Sequence, residues 1–187
     1  MSLKTIGSFA FSNTSIEHIY LPENIEQIGM GAFPNSIQSV SVDSNNINFV
    51  TDFFDSMLFS YDKSVLYFVT DTFYGNFKMP YQVKIIRECA FQNNTKITEV
   101  VFDDRNQLEE IKFGAFWNSS IKSIRIPASV KKIGLLAFAD CCSLTKINYE
   151  GTVEQWEDIN KEEYWDAGTG TCKIYCTDGT IIKHSNN

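Results

Sequence analysis

The residues of this 187-residue chain whose types could support chemistry are five cysteines, two histidines and many scattered carboxylates. Cys172 and Cys176 have C-x-x-x-C spacing, which would hold a metal only with two further ligands. His18 and His184 lie far from them in sequence, Cys141 and Cys142 are adjacent, and Cys89 stands alone. These read as ordinary thiols, with a tail disulfide as the alternative. Asp103-Asp104-x-Asn106 resembles the start of a calcium loop but lacks the glycine and terminal glutamate that a helix–loop–helix site needs, so it reads as a solvated turn. Trp156 and Trp165 could line a sugar site, yet closing an apolar end explains them better. H-E-x-x-H, G-x-S-x-G, P-loop and dinucleotide glycine motifs are all absent. The sequence therefore argues against an enzyme, and no cofactor or metal is expected.

Composition narrows the partners. The net charge of −7 and pI near 4.8 argue against nucleic acid, which favours a basic face. Mean hydropathy is −0.17 and no long apolar run offers a membrane-spanning helix. The opening MSLKTIGSFAF carries one Lys and enters the periodic region at once, so it does not read as a signal peptide. The chain reads as the C-terminal piece of a longer protein.

What must position any functional surface is a repeat. Ile111–Lys132, IKFGAFWNSSIKSIRIPASVKK, is its clearest copy. Ala-Phe pairs recur at Ala10-Phe11, Ala32-Phe33, Ala90-Phe91, Ala115-Phe116 and Ala137-Phe138, each four and five residues after Ile6, Ile28, Ile86, Ile111 or Ile133. Asn13, Asn35, Asn93, Asn118 or Asp140 follows two residues after the Phe, and an apolar-x-x-apolar-x-apolar run comes next. The start-to-start spacings are 22, 58, 25 and 22 residues. Such a run is a turn entering a short strand, with its last two apolar residues on one face. Asn and Asp tolerate left-handed turns, Phe fills a coil, and Ala lets coils approach. A single coil cannot bury its apolar set, so the copies must stack.

The pattern I-x-x-x-A-F-x-N-x-x-I-x-x-I-x-I-P-x-x-V-x-x-I over residues 6–150 resembles the BspA-type leucine-rich repeats of bacterial and protist proteins. The tail motifs YEGTVEQW and CTDGTI resemble the C-terminal end common in such proteins. The resemblance implies an α/β-type leucine-rich-repeat solenoid, with one parallel sheet and short helices or 3-10 turns on the other side. It also implies a cell-surface or secreted, adhesive protein that binds a protein or host-surface ligand.

Residues 1–150 are read as the repeat region, with six strands in one sheet and a hairpin-bearing insertion at 43–76. In that insertion Met57–Ser60 and Val65–Val69 flank the turn 61–64. Residues 151–187 are read as a capping segment. In it Thr152-Val-Glu-Gln155 begins a short helix carrying Trp156 and Ile159, and Thr177-Asp178-Gly179 turns a hairpin. A separate binding module is the alternative for this tail.

Side chains pointing away from the core should form two columns along the strand face. One column holds Tyr20, Ser41, Lys78, Val101, Arg125 and Asn148; the other holds His18, Ser39, Asn76, Glu99, Ser123 and Lys146. They are chemically mixed while the inward positions are uniformly apolar, as on a solenoid's binding face. This predicts a monomeric protein-binding segment, or else a structural spacer presenting another domain. Exposed aromatics on the face would favour binding, and an even polar face would favour the spacer. The Asn-x-Ser/Thr sites at Asn13, Asn93 and Asn118 share one repeat position and should lie in exposed turns, as glycan acceptors if the parent is secreted by a eukaryote.

Overall fold

The computed structural model describes residues 2–184. Each coil of the chain contributes one short and one longer strand. Coil one holds β1 (Thr5–Ile6) and β2 (His18–Leu21), and coil two holds β3 (Gln27–Ile28) and β4 (Ser39–Val42). The insertion then supplies β5 (Phe49–Thr51) and β6 (Met57–Ser60) before coil three, with β7 (Val65–Val69) and β8 (Gly75–Met79). Coils four to six hold β9 (Ile85–Ile86) with β10 (Ile97–Phe102), β11 (Glu110–Ile111) with β12 (Ser123–Ile126), and β13 (Lys132–Ile133) with β14 (Lys146–Tyr149). Helix α1 (Val153–Asp158), β15 (Asn160–Lys161), β16 (Cys172–Tyr175) and β17 (Thr180–Lys183) complete the chain.

The result is a β-solenoid of about seven turns with almost no helix, which corrects the α/β expectation in two ways. First, there are two parallel ladders rather than one sheet. The long strands run β8-β10-β12-β14-β16 and the short ones β7-β9-β11-β13-β15. The two-residue strands escape an alternation test because they have no alternation to show. Second, where short helices or 3-10 turns were expected, the Ala-Phe segments are successive turns and not helices. Ala115 and Trp117 donate to Lys112 and Gly114 within the coil, while Phe116 and Asn118 donate to Ala137 and Ala139 of the next. Every second N–H thus leaves the coil, and a helix would need all of them inside it. Two left-handed residues produce the corner in most coils, as Leu136 (φ 57°) and Asp140 (φ 55°) do in coil six and Cys89 and Asn93 in coil four, while coil two has only Gly31. In coil five Gly114 holds the first of these positions with φ +56°, where Gly alone carries no Cβ penalty.

The core is a column of side chains along the stack. The rings of Phe91, Phe116 and Phe138 are nearly parallel, with centroids 4.6 and 5.0 Å apart. Ala90, Ala115 and Ala137 beside them have no exposed surface. Phe77 and Trp165 close the two ends of this column edge-on.

Neither ladder is continuous from end to end. The pairs β1-β3 and β2-β4 stand apart from the six- and seven-stranded sheets, so the six repeat strands of the prediction do not form one sheet. The insertion divides them. Strand β6 pairs with β5 and β7 antiparallel, extending the short-strand ladder. Its side chains alternate, so Leu58 joins the core of coils one and two while Phe59 joins that of the rest. The expected hairpin 57–69 is therefore present, and with β5 it forms the wall between two cores.

The tail from Asn160 to Tyr175 is itself a seventh coil, with β15 on β13 and β16 on β14. Phe138 N–H donates to the Trp165 carbonyl just as Phe116 donates to Ala137, so Trp165 stands at the Ala position and Asp166 at the Phe position. Thr152 and Gln155 form the capping box read from the sequence, and α1 buries Trp156. Strand β17 folds back antiparallel on β16 at the edge of the long-strand sheet. Among the described residues no helix is long and apolar enough to cross a membrane.

Candidate protein-binding face

Strand register brings the two predicted columns into line. His18 and Tyr20 lie beside Ser39 and Ser41. Glu99 and Val101 lie beside Asn76 and Lys78. Ser123 and Arg125 lie beside Lys146 and Asn148, and Lys173 and Tyr175 of the seventh coil extend the rows. Between Ser41 and Lys78 both columns are interrupted.

Most of these side chains are engaged by a neighbouring coil. His18 Nδ1 lies 2.9 Å from Ser39 Oγ, and Ser123 Oγ donates to Glu99 at 3.2 Å. Tyr20 donates its phenol proton to Asp43; this bond raises the tyrosine pKa and lowers that of the carboxyl. Lys78 pairs with Asp103 at 3.6 Å. Arg125 reaches Asp104 at 2.9 Å and also contacts Glu150. Lys146 lies 5.4 Å from the Tyr175 ring centroid. Charges arranged this way hold rungs together, which leaves the aromatic surfaces as the larger reserve for a partner.

Those aromatics concentrate where the columns break, at residues sequence reasoning missed. The turn after β5 presents Phe53 and Phe54, 94% and 71% exposed, edge-to-face at 5.3 Å. This turn is firmly built. The Asp52 carboxylate accepts the N–H groups of Phe54, Ser56 and Met57, and Thr51 Oγ1 holds Asp55, whose φ is 54°. Val40 N–H in β4 donates to the Asp55 carbonyl at 2.8 Å, and Thr70 N–H donates to Ser56. The turn therefore bridges the coils on both sides of the break. The signal available in sequence was the pair of adjacent phenylalanines flanked by aspartates in a stretch without the repeat. Tyr20 and Tyr175, 58% and 40% exposed, mark the two ends of the face.

The remaining candidates are structural in their contacts. Asp103 accepts the Arg105 N–H and pairs with its side chain, and Asn106 buries its amide against the Pro80 and Val83 carbonyls. Asn46 makes the same contacts to Pro22 and Ile25. The apparent calcium motif is thus a turn lock used twice, and Asp43-Ser-Asn-Asn46 was its legible second copy. All five cysteines are free; burial pushes Cys89, Cys141 and Cys172 up to about 11. Among the described residues no three His, Cys, Asp or Glu converge as a metal site would require. Asn13 and Asn118 are exposed and Asn93 is half-buried, all in left-handed turns. Asn118 Nδ2 donates to Asn93 Oδ1 at 2.7 Å, which engages the nitrogen a glycan would need.

Three solved bacterial structures share this architecture. A leucine-rich repeat protein of Eubacterium ventriosum aligns over 79% of this chain and 40% of its own, with TM-score 0.68 and 23% identity. The pneumococcal vaccine antigen PcpA aligns over 94% and 49%, with TM-score 0.63 and 18% identity. A leucine-rich cell surface protein of Faecalibacterium prausnitzii aligns over 86% and 55%, with TM-score 0.50 and 20% identity. The chain thus spans about half the length of these proteins. No curated protein matches it. The repeat pattern, the turn-built coils and the stacked Phe column agree with the sequence match over residues 1–76 and 67–162, and the chain belongs to the BspA type leucine-rich repeat family.

Proposed function

We propose that this chain is a non-enzymatic, protein-binding segment of a cell-surface or secreted leucine-rich repeat protein. Its contact surface is the long-strand face centred on the Phe53–Phe54 turn. The observation that carries this reading is the aromatic pair itself: two phenylalanines held in water on a turn fixed by three hydrogen bonds to Asp52. Exposed apolar surface costs solubility unless something covers it. A pre-fixed turn spares a partner the entropy of ordering it. Tyr20, Tyr175 and the polar columns would form the rim, where matched charges steer and select rather than add affinity. Surface placement follows the likeness to a cell-surface protein of Faecalibacterium prausnitzii and to a pneumococcal antigen.

The spacer reading draws support from one observation, the mutual pairing of Arg125, Lys78, Ser123 and His18 with neighbouring coils. Binding to a panel of extracellular-matrix and host cell-surface proteins separates the two. The wild-type chain should bind a member saturably, and the variant with Phe53→Ser and Phe54→Ser should lose about tenfold or more in affinity, the scale of a truncated hot spot. No saturable binding by the wild type, or equal binding by the variant, would favour the spacer.

A further inference from the structure

A second surface is created by what coil three lacks. In coils one, two, four, five and six the short and long strands are joined by an Ala-Phe corner. In coil three, β7 ends at Val69 and β8 begins at Gly75, so only residues 70–74 join them. The corner of coil three is missing, and those of coils two and four do not stack. Between them lies a cleft of about 240 Å³. This is below the roughly 300–1,000 Å³ of sites for drug-sized ligands, and restricts the occupant to one ring or a short chain end.

The lining is unusual for a chain in which 21% of residues are charged: it contains no charged side chain. Its polar groups are the amides of Asn13, Asn35, Gln92 and Asn93 and the Ser12 hydroxyl, which donates to the Phe9 carbonyl, and its apolar walls include Phe9 and Phe33. Phe9 is 47% exposed and is held in a left-handed conformation. Amides outside the cleft serve both as surface groups and as buried locks, as at Asn46, Asn94 and Asn106, which bond backbone groups. Asn13 and Asn35 are exposed and Gln92 is half-buried, so these amides are open to a ligand. Asn93 accepts from Asn118 and keeps its own N–H donors. Charged residues line two adjoining crevices of about 20 and 10 Å³, room for no more than a water each. They are already paired, Arg87 with Glu88 and Asp71 with Thr95.

We propose that this cleft is a binding site for a neutral saccharide, such as a terminal sugar of a glycan. An amide offers donors and acceptors on one planar group, which matches vicinal hydroxyls that both donate and accept. An exposed aromatic ring packs against the C–H face of a pyranose. The lack of charge disfavours phosphate, carboxylate and ammonium ligands. The site lies on the Ala-Phe corners rather than the long-strand face, so it stands or falls independently of the Phe53–Phe54 reading.

The test uses ¹⁵N-labelled chain produced in a bacterial host, so that Asn13 and Asn93 carry no glycan. It is titrated with glucose, galactose, mannose, N-acetylglucosamine, lactose and maltose, with N-acetylneuraminic acid as the anionic control. A neutral sugar of this panel should shift the side-chain amide signals of Asn13, Asn35 and Gln92 and the backbone signal of Phe9, saturably, while the anionic control should not. Asn35→Ala with Gln92→Ala should melt like the wild type and weaken binding by about tenfold, the worth of one lost hydrogen bond. Gln92→Glu, which keeps the shape and adds charge, should weaken it too, and serves alone if the double variant fails to fold. No saturable shift with any neutral sugar, an equal response in the variants, or shifts confined to the long-strand face would overturn the proposal.

Discussion

At the scale of single residues, the repeat positions do distinct physical work and their substitutions should differ accordingly. Phe116 is 1% exposed and lies between two parallel rings, so Phe116→Ala should cost about 3–5 kcal/mol in denaturant melts. A loss below about 1 kcal/mol would mean that the column repacks around the gap. Asn106→Ala leaves the Pro80 and Val83 carbonyls and the Leu108 N–H without their partner, and should cost about 1–3 kcal/mol. Asp103 is held down to about 2, first by its hydrogen bond to the Arg105 side chain, then by the Arg105 N–H. A lowered carboxylate pKa contributes stability that is complete above the unfolded value near 4 and is lost as pH falls toward the folded value. The Asp103→Asn variant should therefore show a shallower loss of melting temperature from about pH 4 to 2 than the wild type; parallel curves would show that the carboxylate is uncoupled from folding.

At the scale of elements, the legible parts were those where side-chain chemistry repeats. The Ala-Phe pairs, the long strands, their register and the inward residues could all be read because each position tolerates few residue types. The capping box at Thr152 and the hairpin at Asp178 were legible for the same local reason. The short strands were not, since two residues such as Lys132–Ile133 carry no period. The choice between short helices and turns at the corners stayed open because the decisive hydrogen bonds go to the next coil, and sequence does not display a neighbour's carbonyl. The seventh coil was masked where Trp165 and Asp166 replace Ala and Phe. The Phe53–Phe54 turn and the cleft of coil three arise from departures from the repeat, which a search for repeats passes over. Thiol chemistry offers a check on this layout. At mildly alkaline pH a disulfide reagent should label Cys142, which is exposed, well before Cys89, Cys141 and Cys172, which are buried and hard to ionise. Equal labelling rates in the folded protein would contradict the placement of those three in the core.

At the scale of the whole molecule, seven coils stack in ladders broken at the insertion, over two cores divided by its wall, and the end of the stack must be closed. We propose that residues 151–187, as far as they are described, close it. Trp156 packs on Tyr149 and Trp165 on Phe138, with ring centroids 5.3 and 5.9 Å apart. Strand β17 and the Lys183–Asp166 ion pair finish the edge. Without this segment the β14 edge and the Phe138 layer would face water, and an unpaired edge with apolar flanks recruits other chains. The direct test is to express residues 1–150 and compare their size by sedimentation and their melting by circular dichroism with those of the full chain. The account predicts an aggregating or unfolded product. A soluble monomer that melts like the full chain would contradict it, and would make the tail an appended module.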